Sequence, residues 1–238
     1  MRAAFTKGKP LGEVAEPRQG LATTDNAQFT RQWWEVGPAN SAFGCASRDA
    51  AQKTGARWFP YNKGGDYRKW WGNQGLVADW EDDGTSIKQI IAEKYPYLNG
   101  KYEWVAKNMD TYFLPSLSWS KISSGDPAFR EYPAGFIFDV AGTSIFTDVD
   151  RRRESLLAIC NSSVTLSLLK AIAPTLNFEV GVIAKLPIVL PEPVSEVSSE
   201  VVDLVATARA DWDSDEISWG FCRNHLIAAF RIDTETCI

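Results

Sequence analysis

An α+β fold is what this sequence predicts, and three observations predict it. Short apolar runs rich in β-branched and aromatic residues recur between clusters of glycine, proline and asparagine, the pattern of short strands. Two longer segments, 156–173 and 196–212, instead repeat apolar residues at helical spacing. The two kinds of segment are interspersed with no internal repeat, which sets aside solenoids and propellers. A length of 238 residues is ample for a core, and 45% apolar with 23% charged residues is a globular rather than a disordered composition.

Taken in order, residues 1–20 hold Gly8, Pro10, Gly12, Pro17 and Gly20 and read as an irregular lead-in with room for one short strand. Thr23-Thr24-Asp25-Asn26 offers side-chain oxygens for an N-cap or turn. Residues 29–36 read as a strand or short helix carrying Trp33 and Trp34, and 37–54 as loop. A strand over 56–61 leads into a glycine turn, and 76–80 forms another. Ile87, Ile90 and Ile91 place a helix over 85–94, ended before Pro96. Residues 98–109 fit neither period. Residues 112–119, 135–140, 144–147, 178–183 and 186–190 read as strands. The broad apolar face of Leu156, Leu157, Ile159, Cys160, Val164, Leu166, Leu168 and Leu169 predicts one helix over 156–173. Pro191 and Pro193 mark a boundary, giving a lead-in at 1–20, a main domain at 21–190, and a C-terminal helix and tail at 191–238.

Composition narrows the function. A net charge of −5 argues against a non-specific nucleic-acid coat, although a basic face on an acidic protein remains open. Ten tryptophans suit surfaces where a large ring packs on one side and meets a polar ligand on the other. Cys45, Cys160, Cys222 and Cys237 are widely spaced and only one histidine, His225, is present, so no metal site is expected and the cysteines read as buried free thiols. No apolar run reaches the roughly 18 residues of a membrane span, and residues 1–10 lack the apolar stretch of a secretory signal. The expected address is the cytoplasm. Glycine-rich nucleotide-binding fingerprints and the G-x-S-x-G nucleophile turn are absent.

The most informative stretch is 58–73, Trp-Phe-Pro-Tyr-Asn-Lys-Gly-Gly-Asp-Tyr-Arg-Lys-Trp-Trp-Gly-Asn. Gly64 and Gly65 let the backbone take positive φ and approach a ligand closely. Lys63, Arg68 and Lys69 supply charge for phosphates or base edges, Asn73 an amide, and Trp70 with Trp71 flat stacking surface. The same residues also fit a hairpin whose rings pack in the core and whose cations are solvated.

Several ordered blocks carry a family resemblance. They are residues 20–26 with Phe29 and Arg31, then 58–73, then 119–125, then 136–142 with Ser144, Ile145 and Phe146, then 174–181, and finally 211–214 with Ser218, Trp219 and Phe221. In that order they resemble the target-recognition region of PglX-like adenine-specific DNA methyltransferases of BREX phage-defence systems, related to type IIG restriction-modification enzymes. The likeness spans about residues 10–225. It implies a TaqI-like target-recognition domain of mixed short strands with a C-terminal helical segment. The family's S-adenosylmethionine loop and its Asn-Pro-Pro-Tyr motif do not occur here. The chain therefore reads as a fragment or split-gene product with no catalytic residues or cofactor of its own, S-adenosylmethionine being expected on a separate catalytic domain.

A methyltransferase that extrudes its adenine reads only that base with its catalytic domain, so sequence choice falls to another region. The resemblance implies double-stranded DNA as partner, contacted by Lys63, Gly64, Gly65, Arg68, Lys69, Trp70, Asn73, Lys121, Ser123, Ser124 and Arg130. Trp58, Phe59, Phe136, Phe138 and Phe146 are expected in the core. Two rivals remain: an interaction module docking a separate methyltransferase or other defence subunit, and a hydrolase using the carboxylates of 79–83.

Overall fold

The computed structural model describes residues 6–147, 150–173, 175–190 and 194–223. His225, Cys237 and the three prolines at 174, 191 and 193 lie outside them. The architecture is α+β. In chain order it comprises β1 (Lys9–Pro10), α1 (Leu11–Val14), β2 (Glu16–Arg18), α2 (Asn26–Phe29), β3 (Thr30–Gln32), α3 (Arg48–Lys53), β4 (Trp58–Asn62), β5 (Leu76–Asp79) and α4 (Glu81–Lys94). Then follow β6 (Ser116–Trp119), β7 (Phe129–Tyr132), β8 (Ile137–Phe138), β9 (Ser144–Phe146), α5 (Asp150–Asn161), α6 (Ser163–Ile172), α7 (Val180–Ile183), β10 (Pro187–Ile188) and α8 (Val194–Trp212). There are two four-stranded sheets, ordered β2-β9-β6-β7 and β3-β5-β4-β8, and a separate small β1-β10 pair.

The first sheet is antiparallel throughout, and its period-2 alternation divides the interior. Leu117, Trp119, Phe129 and Ile145 face one core, shared with Leu156, Leu157, Cys160, Leu168, Leu169 and Val201 of the helices. Phe146, one residue on from Ile145, joins a second core with Phe59, Tyr61, Ala78, Trp80, Tyr112 and Phe138. Between the sheets runs a polar row: Ser144, Ser118 and Arg130 lie side by side on β9, β6 and β7, all buried. That row seats the glycine loop.

Several local features differ from the expectations. The helix predicted over 156–173 is two helices bent by 66° at Ser162. The Asn161 side chain leaves the helix to accept from Phe129 N (3.0 Å) and donate to Phe129 O (2.8 Å), while Ser162 Oγ caps the next helix by accepting from Thr165 N (3.2 Å). Residues 178–183 are not a strand: Val180–Ile183 forms a helical turn, because a short apolar run has no decisive period. The loop predicted over 37–54 contains α3, capped by Ser47 Oγ accepting from Ala50 N at 3.1 Å. The strand β7 also escapes the pattern, since Arg130 sits at an inward position. Among the described residues no single helix is long and apolar enough to cross a membrane.

Candidate nucleic-acid interface

Strands β4 and β5 pair antiparallel, and residues 63–75 form the long connection between them. Asn62, at the end of β4, starts the loop from a fully internal position. Its Nδ2 donates to Ser118 Oγ (2.7 Å) and Gly142 O (2.9 Å), and its Oδ1 accepts from Gly64 N (3.1 Å). Gly64 has φ +77°, and a Cβ there would come within 2.9 Å of Ala141 O, so only glycine fits. Ser120 Oγ donates to Gly65 O at 2.7 Å, which sets the 120–126 loop beside the glycines.

The cations selected from the sequence are mostly engaged by partners within the fold. Arg130 is fully buried; its guanidinium donates to Arg68 O (3.2 Å), Asp66 O (3.5 Å) and Ser120 Oγ (2.8 Å), and its Nε has no partner. Arg130 thus holds the loop from beneath instead of presenting its charge to solvent. Arg68 pairs with Asp211 at 3.3 Å and lies over the Trp212 ring at 4.9 Å. Lys69 donates to Asn161 O at 3.1 Å, at the C-terminal end of α5, where a cation is favoured. Lys121 pairs with Glu179 at 3.0 Å. Asn73 (φ +58°) donates to Asp66 O at 2.8 Å and closes the loop on itself.

The rings are likewise engaged. Trp71 is buried beneath Arg209, and Trp70 (φ +72°) packs against the helical core while its backbone bridges β7 through Phe129 O (2.9 Å) and Glu131 N (2.8 Å). Trp71 offers no free face for stacking, and Trp70 is half-buried. What faces solvent is different: Tyr67, 58% exposed, together with Gly65 and Asp66, and across the gap Ile122, Ser124 and Gly125. Lys63 is half-buried near Asp139. Ser123 Oγ donates to Asp126 O (3.3 Å) and accepts from Gly125 N (3.3 Å), so it shapes its own turn. Tyr67 and Ile122 carry no motif; only their failure to pack reveals them.

Under the loop, the Tyr61 hydroxyl donates to Asp139, whose other oxygen accepts from Ala141 N at 2.6 Å. Burial pushes the Tyr61 phenol well above its ordinary range, and Asp139 adds to the effect. Burial also raises the Asp139 carboxyl, against the lowering influence of Tyr61, Ala141 N–H and Lys63. Two of the carboxylates of 79–83 serve structure: Asp79 pairs with Arg57 at 2.8 Å and Asp83 with Arg48 and Lys88. Among the described residues no group of three or more histidine, cysteine, aspartate or glutamate side chains is placed to hold a metal.

A separate apolar recess of about 380 Å³ is lined by Trp33, Val36, Pro38, Ser41, Phe43 and Trp219. Trp33 Nε1 donates to Ile217 O at 2.8 Å, joining the segment after α8 to the edge of the second sheet.

No family model matches the chain. Over 227 residues it is 35% identical to the adenine-specific methyltransferase PglX of Lacticaseibacillus casei (strain Zhang), covering 91% of this chain and 18% of that protein. It is 30% identical over 227 residues to the adenine-specific methyltransferase BrxX of Escherichia coli O9:H4 (strain HS), covering 94% and 17%. The chain spans less than a fifth of the length of these curated relatives. It is therefore related to a segment of adenine-specific methyltransferases. The relation is to the PglX and BrxX kind.

Proposed function

We propose that this chain is the DNA sequence-recognition module of a PglX-like adenine-specific methyltransferase. The match along nine tenths of the chain to a small segment of two such enzymes carries this reading. The TaqI-like architecture, duplex DNA as partner, work in the cytoplasm, and S-adenosylmethionine bound by a separate catalytic part all belong to it.

Physically, base reading needs a protrusion that is rigid below and free above, because each well-placed contact discriminates by about 1–3 kcal/mol only when its geometry is fixed. The glycine loop supports this. Asn62, Arg130, Arg68 and Lys69 are positioning residues, and Lys63, Tyr67 and Ser124 face the groove, with Ile122 beside them for apolar contact with a thymine methyl or sugar. The test is selection by the full chain from a random duplex pool at two salt concentrations. Enrichment of one motif, with affinity falling as salt rises, is expected. A folded chain that shows no salt-dependent binding to duplex DNA overturns the reading.

One observation favours a second reading. The recess around Phe43 and Trp219 is apolar and open, as a seat for a protein partner would be. If the chain docks a separate methyltransferase or defence subunit there, Phe43→Ala/Trp219→Ala abolishes capture of a PglX-like catalytic part and leaves duplex binding unchanged.

A further inference from the structure

We infer that the turn-rich segment 94–107 is a second nucleic-acid contact, a sequence-independent grip on phosphates flanking the bases met by the glycine loop. This rests on the DNA-recognition reading above and adds to it a surface that the sequence pattern leaves blank.

The segment is irregular but well tied. It contains two 3₁₀ turns, Pro96–Leu98 and Tyr102–Trp104, joined through Asn99 and Gly100, both in the left-handed region at φ +50° and +79°. Asn99 N donates to Pro96 O (3.1 Å), Lys101 N to Leu98 O (3.0 Å) and Ala106 N to Tyr102 O (2.8 Å). Tyr95, Tyr102, Val105 and Ala106 face the second core. The remaining rings point away from it: Tyr97 is 74% exposed and Trp104 68%, the two most exposed large aromatics among the described residues. An apolar ring held in solvent by a segment that already has core-facing neighbours is a mark of a contact surface.

Charge says what kind of contact. Residues 94–107 hold three lysines against one glutamate, in a chain whose net charge is −5. Lys94 Nζ donates to Thr24 O (2.9 Å) and Lys107 Nζ to Gln19 Oε1 (3.2 Å), both neutral acceptors, while Lys101 is exposed. Among the described residues none of the three is in an ion pair. Their charge is oriented but not cancelled, as phosphate recognition requires. Glu93, next to Lys94, bonds Gln89, and Glu103 is the one acidic neighbour within the segment.

Placement links this surface to the loop. Ala22 N donates to Val105 O (3.1 Å), Val140 N to Leu21 O (3.2 Å) and Lys121 N to Ala141 O (2.9 Å), and Ala141 O is the atom that crowds Gly64. Three backbone steps, from Val105 to residue 22, from residue 21 to Val140 and from Ala141 to Gly64, thus join the segment to the glycine loop, on the order of 15 Å at the spacing of about 4.8 Å between neighbouring chains. That is comparable with the roughly 12 Å width of the major groove, so a duplex receiving the loop brings its flanking phosphates to this face. Tyr97 and Trp104 then lie against deoxyribose edges.

The test uses the full chain and a 30-bp duplex carrying the selected motif, with a scrambled duplex as control. Affinities are measured across a salt series for wild type, Lys94→Ala/Lys101→Ala/Lys107→Ala and Tyr97→Ala/Trp104→Ala, after checking that each variant melts as wild type does. The lysine variant is expected to flatten the slope of log affinity against log salt by about 2–3, near 0.9 for each phosphate no longer neutralised. Its affinity should fall at least tenfold and equally for both duplexes. An unchanged slope with motif binding intact overturns this inference and leaves the recognition reading standing. If wild type binds no duplex, both fall. If the lysine variant keeps the slope while the aromatic variant loses capture of a PglX-like catalytic part, the face docks protein and the inference is wrong.

Discussion

The glycine loop and the 94–107 segment use nearly the same ingredients: lysines, aromatic rings, an asparagine and glycine at positive φ. They use them in opposite directions. In the loop, Arg68 and Lys69 reach Asp211 and Asn161 in other elements, Arg130 rises from below, and Trp71 is buried. In 94–107, the lysines touch only neutral oxygens and the largest rings stand in solvent. The difference teaches that a residue's type does not say whether its charge is available. A cation is available when the fold leaves it both in solvent and without a counter-charge, and that depends on partners far away in sequence. Arg130 meets only neutral oxygens yet is buried.

Breaking the loop from beneath should have the largest effect. Arg130→Met removes donors from Asp66 O, Arg68 O and Ser120 Oγ, and should lower stability by about 2–4 kcal/mol in urea unfolding. A loss under about 0.5 kcal/mol would mean the loop does not lean on that guanidinium. Gly64→Ala meets Ala141 O and forces a left-handed alanine, so a loss of about 1–3 kcal/mol is expected by the same measurement.

A titration separates structural from available charge in another way. Burial raises the Asp83 carboxyl, but hydrogen bonds from Arg48 and Lys88 outweigh it and hold the group below its usual 3.8. A folded value below the unfolded one adds stability above pH 3.8, and that stability is lost as pH falls through the folded value. Asp83→Asn, which tolerates the left-handed backbone there (φ +61°), should be about 1–2 kcal/mol less stable at neutral pH. Between neutrality and the acid side of that value it should lose less stability than wild type. Equal acid loss in both proteins would remove the ion-pair account. The smallest effect belongs to Lys101→Ala, whose stability should stay within about 0.5 kcal/mol of wild type, as an uncompensated surface charge implies.

Much of the fold was legible where the signal is local. The isoleucines of α4, the apolar stripe of α8 and the strands flanking the glycine loop follow from period alone. The Gly64-Gly65 pair marked a turn by residue type, although what requires glycine at 64 is the distant Ala141 O. What was not legible depends on distant partners. The break at Ser162 needs Phe129 to claim the Asn161 amide across 32 residues, and Arg68 is held by a carboxylate 143 residues away. Arg130 looks like a surface cation until β6 and β9 place Ser118 and Ser144 beside it. Residues 98–109 showed no period because they are successive turns, and turns expose side chains by geometry that periodicity does not encode.

The division of labour between the two regions is the central claim, and the ratio of affinities for the selected duplex and its scrambled control tests it most directly. The full chain would be compared with Tyr67→Ala and with the triple lysine variant at fixed salt. The account predicts that Tyr67→Ala lowers the ratio with scrambled binding unchanged, while the lysine variant weakens both duplexes and keeps the ratio. A lysine variant that loses the ratio, or a Tyr67 variant that leaves it untouched, would contradict it.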